Sequence, residues 1–94
     1  MGQIALVQTV HLLPGKAEEA IHWLREGEVI RKQWGMSEQI ILRKSYDPSV
    51  YMVVQVWESM DAYTKWKNSE ERSQSLEEGR RFRVREPSVV YEVV

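Results

Sequence analysis

The segment from Val50 to Trp57, VYMVVQVW, predicts a β-strand that needs a packing layer on each of its two sides. Successive side chains of a strand point to opposite faces of the sheet. One face of this strand takes the residues Tyr51, Val53, Gln55 and Trp57. The other face takes only apolar residues, which are Val50, Met52, Val54 and Val56. Because neither face suits contact with water, the fold must cover both.

The first predicted strand, Gln3 to Leu12, repeats this two-sided pattern. One face carries Ile4, Leu6, Val10 and Leu12, with the amide of Gln8 among them. The opposite face carries Ala5, Val7, Thr9 and His11. A buried amide needs hydrogen-bond partners, so Gln8 is the most informative polar residue of this strand. The sequence Leu13-Pro14-Gly15 predicts the end of the strand.

A helix is predicted from Lys16 to Gln33, because apolar residues recur there three or four positions apart. Its apolar stripe consists of Ala20, Trp23, Leu24, Gly27, Ile30 and Trp34. A glycine inside a helix costs roughly 0.5–1 kcal/mol relative to alanine. Gly27 therefore predicts a close approach of the helix to the sheet or to a ligand. Gly35 is placed to cap the C-terminal end.

Two more strands are expected besides the two described above. Glu38 to Ser45 and Val50 to Trp57 predict an antiparallel hairpin, because the residues between them, Tyr46-Asp47-Pro48-Ser49, favour a turn. The last strand is predicted from about Phe82 to Val94. Pro87 cannot donate a backbone hydrogen bond, so it predicts an edge position or a bulge in this strand.

Two short helices are predicted between the hairpin and the last strand. Ser59 is a suitable N-cap for a helix from Met60 to about Asn68. Either Asn68 or Ser69 can cap the next helix, which is expected to end near Gly79. Two glutamates that follow this cap suit the positive end of the helix dipole.

The predicted order is β-α-β-β-α(α)-β, which indicates an α+β fold of the ferredoxin-like type in a single domain spanning residues 1–94. In this arrangement the helices lie on one face of an antiparallel sheet. The strands nevertheless carry apolar residues on both faces. The simplest cover for the second face is the sheet of another copy, so we expect a homodimer formed through the sheet face.

The composition argues against several classes of function. The formal net charge is −1, so no overall field attracts nucleic acid or an anionic membrane. No apolar run approaches the ~20 residues of a membrane span. The chain has no cysteine, which excludes disulfides and cysteine-bound metals. The first residues predict a strand rather than a signal peptide, so we expect a cytoplasmic protein. We also expect that it has no metal site and binds neither nucleic acid nor membranes.

The one notable run of positive charge consists of Arg80, Arg81, Arg83 and Arg85. Such a run could bind an anionic substrate or a phosphate. A glutamate-rich helix precedes it, however, and this favours a solvated surface of compensating charges. We adopt that second interpretation as the expectation for these residues.

A motif spans the end of the hairpin and the first short helix. Its pattern is V-x-W-E-S-x-x-A-Y-x-x-W-x-x-S, formed by Val56, Trp57, Glu58, Ser59, Ala62, Tyr63, Trp66 and Ser69. The motif and the order of elements resemble the antibiotic biosynthesis monooxygenase-like family of the dimeric α+β barrel superfamily. The resemblance covers nearly the whole chain and implies a dimeric barrel. That superfamily supports several chemistries, so the resemblance identifies the fold better than the reaction.

One branch of the superfamily degrades haem, and this chain matches it poorly. Trp66 corresponds to the tryptophan of that branch, but Leu76 stands where the haem-ligating histidine is expected. The asparagine of that branch falls near Gln8. The two histidines, His11 and His22, are not placed to substitute. We therefore expect no haem and no other cofactor.

A second branch resembles cofactor-free monooxygenases that oxidise polycyclic phenols to quinones. Trp57 and Tyr63 match its tryptophan and tyrosine. Val53 stands at its asparagine position, and its arginine position falls near Glu77. The aromatic walls implied by the resemblance are present, but the groups that would polarise and deprotonate a phenol are not.

These comparisons give a candidate pocket between sheet and helices, with unassigned catalytic residues. Its members are Gln8, Val53, Trp57, Tyr63 and Trp66. Trp57 and Trp66 are equally compatible with a purely structural role in the core. The leading hypothesis is a cofactor-independent monooxygenase-like protein that binds a hydrophobic aromatic or quinol-type molecule. The alternatives are a non-catalytic dimeric module for ligand binding, stress or regulation, and an atypical haem-binding protein.

Overall fold

The structure, a computed structural model, describes residues 2–94 and contains five strands and three helices in that range. In chain order the elements are β1 (Ile4–Leu12), α1 (Ala17–Gln33), β2 (Met36–Lys44), β3 (Asp47–Trp57), α2 (Met60–Lys67), α3 (Glu70–Gly79), β4 (Arg83–Arg85) and β5 (Val89–Glu92). The predicted ferredoxin-like α+β fold is confirmed. None of these helices is long and apolar enough to span a membrane.

The strands form one antiparallel sheet in the order β2-β3-β1, with β4 and β5 both paired to the remaining edge of β1. β5 pairs with the first half of β1, and β4 pairs with the second half. The segment Glu86-Pro87-Ser88 bridges the two strands. Pro87 therefore interrupts the predicted last strand, as a residue without a backbone N–H does in a ladder. The interruption lies next to Gln8, at the middle of β1.

The hairpin turn differs from the prediction. β2 and β3 are joined by Ser45 and Tyr46, so Asp47 and Pro48 belong to β3 rather than to the turn. The Asp47 carboxylate accepts hydrogen bonds from the backbone N–H (3.2 Å) and the hydroxyl (2.6 Å) of Ser49. Proline is tolerated at a strand start, and an irregularity in the pairing near Lys44 accommodates the change in register.

Both short helices begin at the serines that the sequence indicates. The Ser59 hydroxyl accepts a hydrogen bond from the backbone N–H of Ala62 at 3.0 Å. The Ser69 hydroxyl accepts one from the backbone N–H of Arg72 at 3.1 Å. Each bond satisfies a helix N–H that has no partner within the helix. These two caps fix the start of the helices that carry Tyr63 and the cavity-lining residues of α3.

The helical stripe of α1 contains one unexpected member. Arg31 is buried at 5% exposure, whereas Ile30, predicted to face the core, is 45% exposed. Gly27 makes room for this arginine: a Cβ at Gly27 would lie 2.7 Å from Nη1 of Arg31. The close approach predicted at Gly27 is therefore to a side chain of the same helix, one turn further on.

The helix-covered side of the sheet holds two apolar clusters. The first is centred on Trp57 and consists of Ile4, Leu6, Met36, Trp57, Tyr63 and Trp66. The second is centred on Val10 and consists of Val10, Leu12, Ala20, Leu24, Tyr51 and Val53. Trp57 and Val10 are the largest side chains that are completely buried. The space where the two clusters meet contains the polar residues described below.

The opposite side of the sheet remains open in the single chain. Exposed apolar side chains follow it from β2 to β5, among them Ile40, Leu42, Met52, Val84, Val89 and Tyr91. This surface is the second apolar face that the alternation in the sequence predicts. Its cover by another copy stays a prediction.

Candidate functional site

A cavity of about 60 Å³ lies between the sheet and the helices, where the two apolar clusters meet. Its apolar and aromatic wall consists of Leu6, Trp23, Leu24, Val53, Tyr63, Trp66 and Leu76. Its polar wall consists of Gln8, Gln55, Ser75 and Ser88 with the arginines Arg31, Arg72, Arg83 and Arg85. The sheet, α1, α2 and α3 all contribute, so the site exists only in the assembled fold.

The structure brings four of the five predicted pocket residues together. Gln8, Val53, Tyr63 and Trp66 line the cavity. Trp57 lies behind them, completely buried, with its ring centroid 5.5 Å from that of Tyr63 and 6.3 Å from that of Trp66. Trp57 therefore supports the aromatic wall from the core and is not part of the cavity surface.

A chain of hydrogen bonds connects Trp57 to the buried arginine of α1. The Trp57 indole N–H donates to Oε1 of Gln55 at 3.1 Å, and Gln55 Nε2 donates to Oε1 of Gln39 at 3.1 Å. Nη2 of Arg31 donates to the same Gln39 oxygen at 2.8 Å and to the carbonyl of Leu24 at 2.9 Å. These bonds hold one side of the Arg31 guanidinium in a fixed position.

A second set of hydrogen bonds holds Gln8. Nη1 of Arg83 donates to Gln8 Oε1 at 3.2 Å, and Gln8 Nε2 donates to the Ser88 hydroxyl at 2.9 Å and to the Glu86 carbonyl at 3.3 Å. The Arg83 guanidinium also lies over the Trp23 ring, 4.8 Å from its centroid. The interruption between β4 and β5 thus supplies both acceptors that orient the Gln8 amide.

The cavity is strongly positive. Four arginines line it, and no aspartate or glutamate of residues 2–94 does so. Burial lowers the pKa of Arg31 to about 10, although the charge of Glu28 partly opposes this. Burial also lowers the pKa of Arg83 to about 10, and the neighbouring charges of Arg85, Arg31 and Arg72 add to the effect.

The pKa of Arg85, which is the most exposed of the four arginines that line the cavity, is also lowered. Partial burial lowers the pKa of Arg85, and the charge of Arg72 lowers it further, while Tyr63 raises it. Arg85 and Tyr63 both line the cavity. Both groups are therefore available to one ligand.

The expectation that the arginine run forms a solvated surface is wrong for Arg83. Arg83 is 8% exposed, whereas Arg80, Arg81 and Arg85 are exposed, although Arg85 also lines the cavity. The physical reason is the period of two in β4, which points Arg83 and Arg85 to the helix-covered face. That spacing is a signal in the sequence. Arg31 and Arg72 carry no comparable signal, because their positions depend on how the helices pack.

The two histidines lie away from the cavity. His11 is on the open face of the sheet, where its Nε2 lies 2.7 Å from Oε2 of Glu86. His22 is exposed on α1 and contacts Glu26 at 3.0 Å. Among residues 2–94 no three histidine, cysteine, aspartate or glutamate side chains are grouped as metal ligands.

Residues 3–84 match the sequence family described as antibiotic biosynthesis monooxygenase. The chain belongs to this family. The match includes the whole motif from Val56 to Ser69 and the buried arginines of α1 and β4. No curated protein matches the chain in sequence.

Solved structures of the antibiotic biosynthesis monooxygenase family and others share this fold. SnoaB, a cofactor-independent oxygenase from Streptomyces nogalater, superposes with a TM-score of 0.87 at 14% identity, over 100% of this chain and 95% of SnoaB. A proposed antibiotic biosynthesis monooxygenase from Chloroflexus aurantiacus gives 0.80 at 17% identity, over 98% of this chain and 93% of that one. A Bacteroides thetaiotaomicron protein of unknown function gives 0.83 at 15% identity, over 98% of both chains. At these identities the similarity shows the fold alone.

Proposed function

We propose that this family member binds a small phenol- or quinol-type aromatic molecule between sheet and helices and oxidises it with O₂ without a cofactor. The observation that carries the proposal is the cavity itself, which has aromatic walls at Tyr63 and Trp66 and an oriented amide at Gln8. Family membership and the cofactor-independent activity stated for SnoaB support the same class of reaction.

The reaction needs little from the protein besides binding and electrostatics. A phenol and O₂ give a para-quinone and water: the ring carbon opposite the hydroxyl exchanges its hydrogen for one oxygen atom, and the second oxygen leaves in water. The substrate supplies all the electrons. It must first lose its phenolic proton to water, and a positive cavity favours the phenolate that results. The arginines take the place of a base at the cavity wall by lowering the pKa of the bound phenol.

The size of the cavity requires a wall to move when a ring enters. An engineered cavity of about 150 Å³ holds benzene, and this cavity measures about 60 Å³. A groove of about 380 Å³ adjoins it and shares Leu76, Arg83 and Arg85 as lining residues. Displacement of the Leu76 and Arg85 side chains would join the two spaces. The ligand then lies partly in the cavity and partly in the groove.

Replacement of Gln8 by alanine should reduce the rate of O₂ consumption at least tenfold with the best substrate of a phenol and hydroquinone panel. The amide holds Arg83 and presents a polar group between aromatic walls. Misplacement of such a group typically lowers the reaction rate by up to about two orders of magnitude. An oxygen electrode and product chromatography measure the effect. Gln33→Ala, at an exposed position of α1, is the matched control.

Absence of O₂ uptake with every phenol tested would contradict the proposed oxygenase activity. A tightly bound aromatic without turnover would instead support the second candidate, a non-catalytic ligand-binding module with a regulatory or stress role. One observation favours that candidate: among residues 2–94, no carboxylate or histidine lines the cavity to act as a base. Native mass spectrometry on the same ligands separates the two functions.

We also propose that the open apolar face of the sheet is covered by a second copy of the chain. The exposed residues on this face extend over several strands, and the three central pairs Val7–Val54, Val54–Ile40 and Met52–Leu42 are all apolar. A continuous apolar patch of this kind rarely stays exposed in a soluble protein. A two-fold dimer presents the same patch from both partners and removes it from water.

Val54→Glu should convert the protein from a dimer to a single subunit, or make it aggregate. The charge would lie at the centre of the proposed interface, where burial without a partner is strongly unfavourable. Sedimentation equilibrium should give twice the mass of the 11.1 kDa chain for the unmodified protein. Thr64→Glu on the exposed side of α2 is the control. A folded single subunit of the unmodified protein at micromolar concentration would contradict the dimer.

A further inference from the structure

Arg31 has features that a structural role does not explain. Its side chain is 5% exposed and lines the cavity, yet its Nε atom has no hydrogen-bond partner in the part of the chain that the structure describes. Buried polar atoms are normally paired, and a charged group in particular needs compensation. The carboxylate of Glu28 acts on it electrostatically but binds Lys32 at 3.2 Å instead.

The partners of Arg31 do not depend on it. Oε1 of Gln39 also accepts from Nε2 of Gln55 at 3.1 Å, and the Leu24 carbonyl also accepts from Nε2 of Gln39 at 3.3 Å. Removal of the guanidinium would therefore leave these acceptors bonded. The arginine is not needed to complete the internal network, and Glu28, which is paired with Lys32, compensates its positive charge only in part.

Arg83, on β4, is a second buried arginine of the cavity whose charge has no negative partner among residues 2–94. It is 8% exposed, stacks on Trp23 and donates to the neutral Gln8, so none of these contacts balances its charge. Arg72 and Arg85 add further positive charge at the same cavity. A group that carries negative charge is the one partner that would balance all four.

We propose that the cavity binds an oxyanion group of the ligand, a carboxylate or a phosphate, through Arg31 and Arg83, with Arg72 and Arg85 closing the site. The inference rests on the proposed function, because the aromatic part of the same ligand would lie against Tyr63 and Trp66. Guanidinium groups present paired N–H donors that match both oxyanions, and such charge-assisted bonds are stronger than neutral ones. The cavity of about 60 Å³ accepts a group of this size without the ring-sized opening that the aromatic part requires.

The test compares three probes with one ring system: 1-naphthol, 1-hydroxy-2-naphthoate and 1-naphthyl phosphate. Calorimetric titration at pH 7 should give at least tenfold tighter binding for one or both anionic probes than for 1-naphthol. The better of the two identifies the oxyanion. Equal affinity of all three probes, or preference for 1-naphthol, would overturn the proposal.

Arg31→Met and Arg83→Gln should each weaken binding of the preferred anionic probe at least tenfold and weaken binding of 1-naphthol by a clearly smaller factor, so that the preference for the anionic probe falls. Arg25→Gln removes an exposed arginine from the same helix as Arg31 and should leave both affinities unchanged. An equal loss in Arg25→Gln and Arg31→Met would show only a general charge effect and contradict the site.

Thermal unfolding distinguishes a ligand-binding arginine from a structural one. Arg31→Met should keep or raise the melting temperature, because methionine fills the space and the network stays bonded. A marked fall in the melting temperature with no change in probe affinity would assign Arg31 to structure. Anion binding without O₂ uptake would support the oxyanion site and contradict the proposed oxygenase activity. Oxidation of neutral phenols without a preference for anionic probes would support the oxygenase activity and contradict the oxyanion site.

Discussion

Trp57→Ala should lower the free energy of unfolding by about 3–5 kcal/mol, a large part of the total expected for a domain of this size. The side chain is completely buried and packs against Tyr63 and Trp66. Its loss leaves a cavity that the rigid sheet cannot fill. It also removes the donor to Oε1 of Gln55, a buried residue of the network that leads to Arg31.

Urea denaturation followed by fluorescence or circular dichroism measures this change. Trp57→Phe is the matched control, since it keeps an aromatic ring and removes only the indole N–H and part of the volume. We expect a smaller loss for it, in the range of about 1–3 kcal/mol for an unsatisfied buried acceptor. If Trp57→Ala costs less than Trp57→Phe, the central position assigned to this residue is wrong.

Gly35→Ala should lower the free energy of unfolding by roughly 2–4 kcal/mol, from backbone strain and steric overlap together. Gly35 has a φ of +113°, a value that residues with a side chain rarely adopt. A Cβ there would lie 2.9 Å from Cβ of Ala62 and 3.0 Å from Oε1 of Glu58. The Gly35 carbonyl also accepts from the Glu58 N–H at 2.9 Å, so the strain reaches the start of α2.

Gly15→Ala provides the matched comparison. Gly15 also has a positive φ, +73°, but a Cβ there would meet no atom within 4 Å. We expect a loss of about 1–2 kcal/mol, the backbone cost alone. Chemical denaturation of both variants separates strain from overlap. Equal losses at the two glycines would show that the contact between Gly35 and Ala62 contributes nothing.

Most of the fold can be predicted from local sequence patterns, because tertiary packing does not override them in this chain. Period two in β1 and β3 predicts which side chains face the helices, and the serine caps at Ser59 and Ser69 predict where two helices begin. The hairpin turn was misplaced, because the turn preference of Asp47 is satisfied by its bonds to Ser49 inside the strand. Local hydrogen bonding of aspartate and serine occurs in either setting, so composition alone does not separate them.

The candidate site was predictable in its sheet and in α2, whose motif includes the cavity-lining residues Tyr63 and Trp66. Gln8 and Val53 are paired neighbours on the helix-covered face, and alternation predicts that they share it. Arg31 was missed because a long side chain reaches the core only when a neighbour gives it space, and Gly27 does so one turn earlier. Arg72 depends on the angle at which α3 crosses the sheet. No periodic signal encodes either condition.

The three-residue link Glu86-Pro87-Ser88 joins β4 to β5 and holds the amide of Gln8. β4 and β5 are held independently by β1, while the link provides the groups that orient Gln8. Exchanging Ser88 in this link should re-aim the amide and leave intact both ladders and the backbone bond of 2.9 Å from the Glu86 N–H to the Thr9 carbonyl. Under the proposed function, this link is therefore a position at which the choice of ligand can be redesigned with little damage to the sheet.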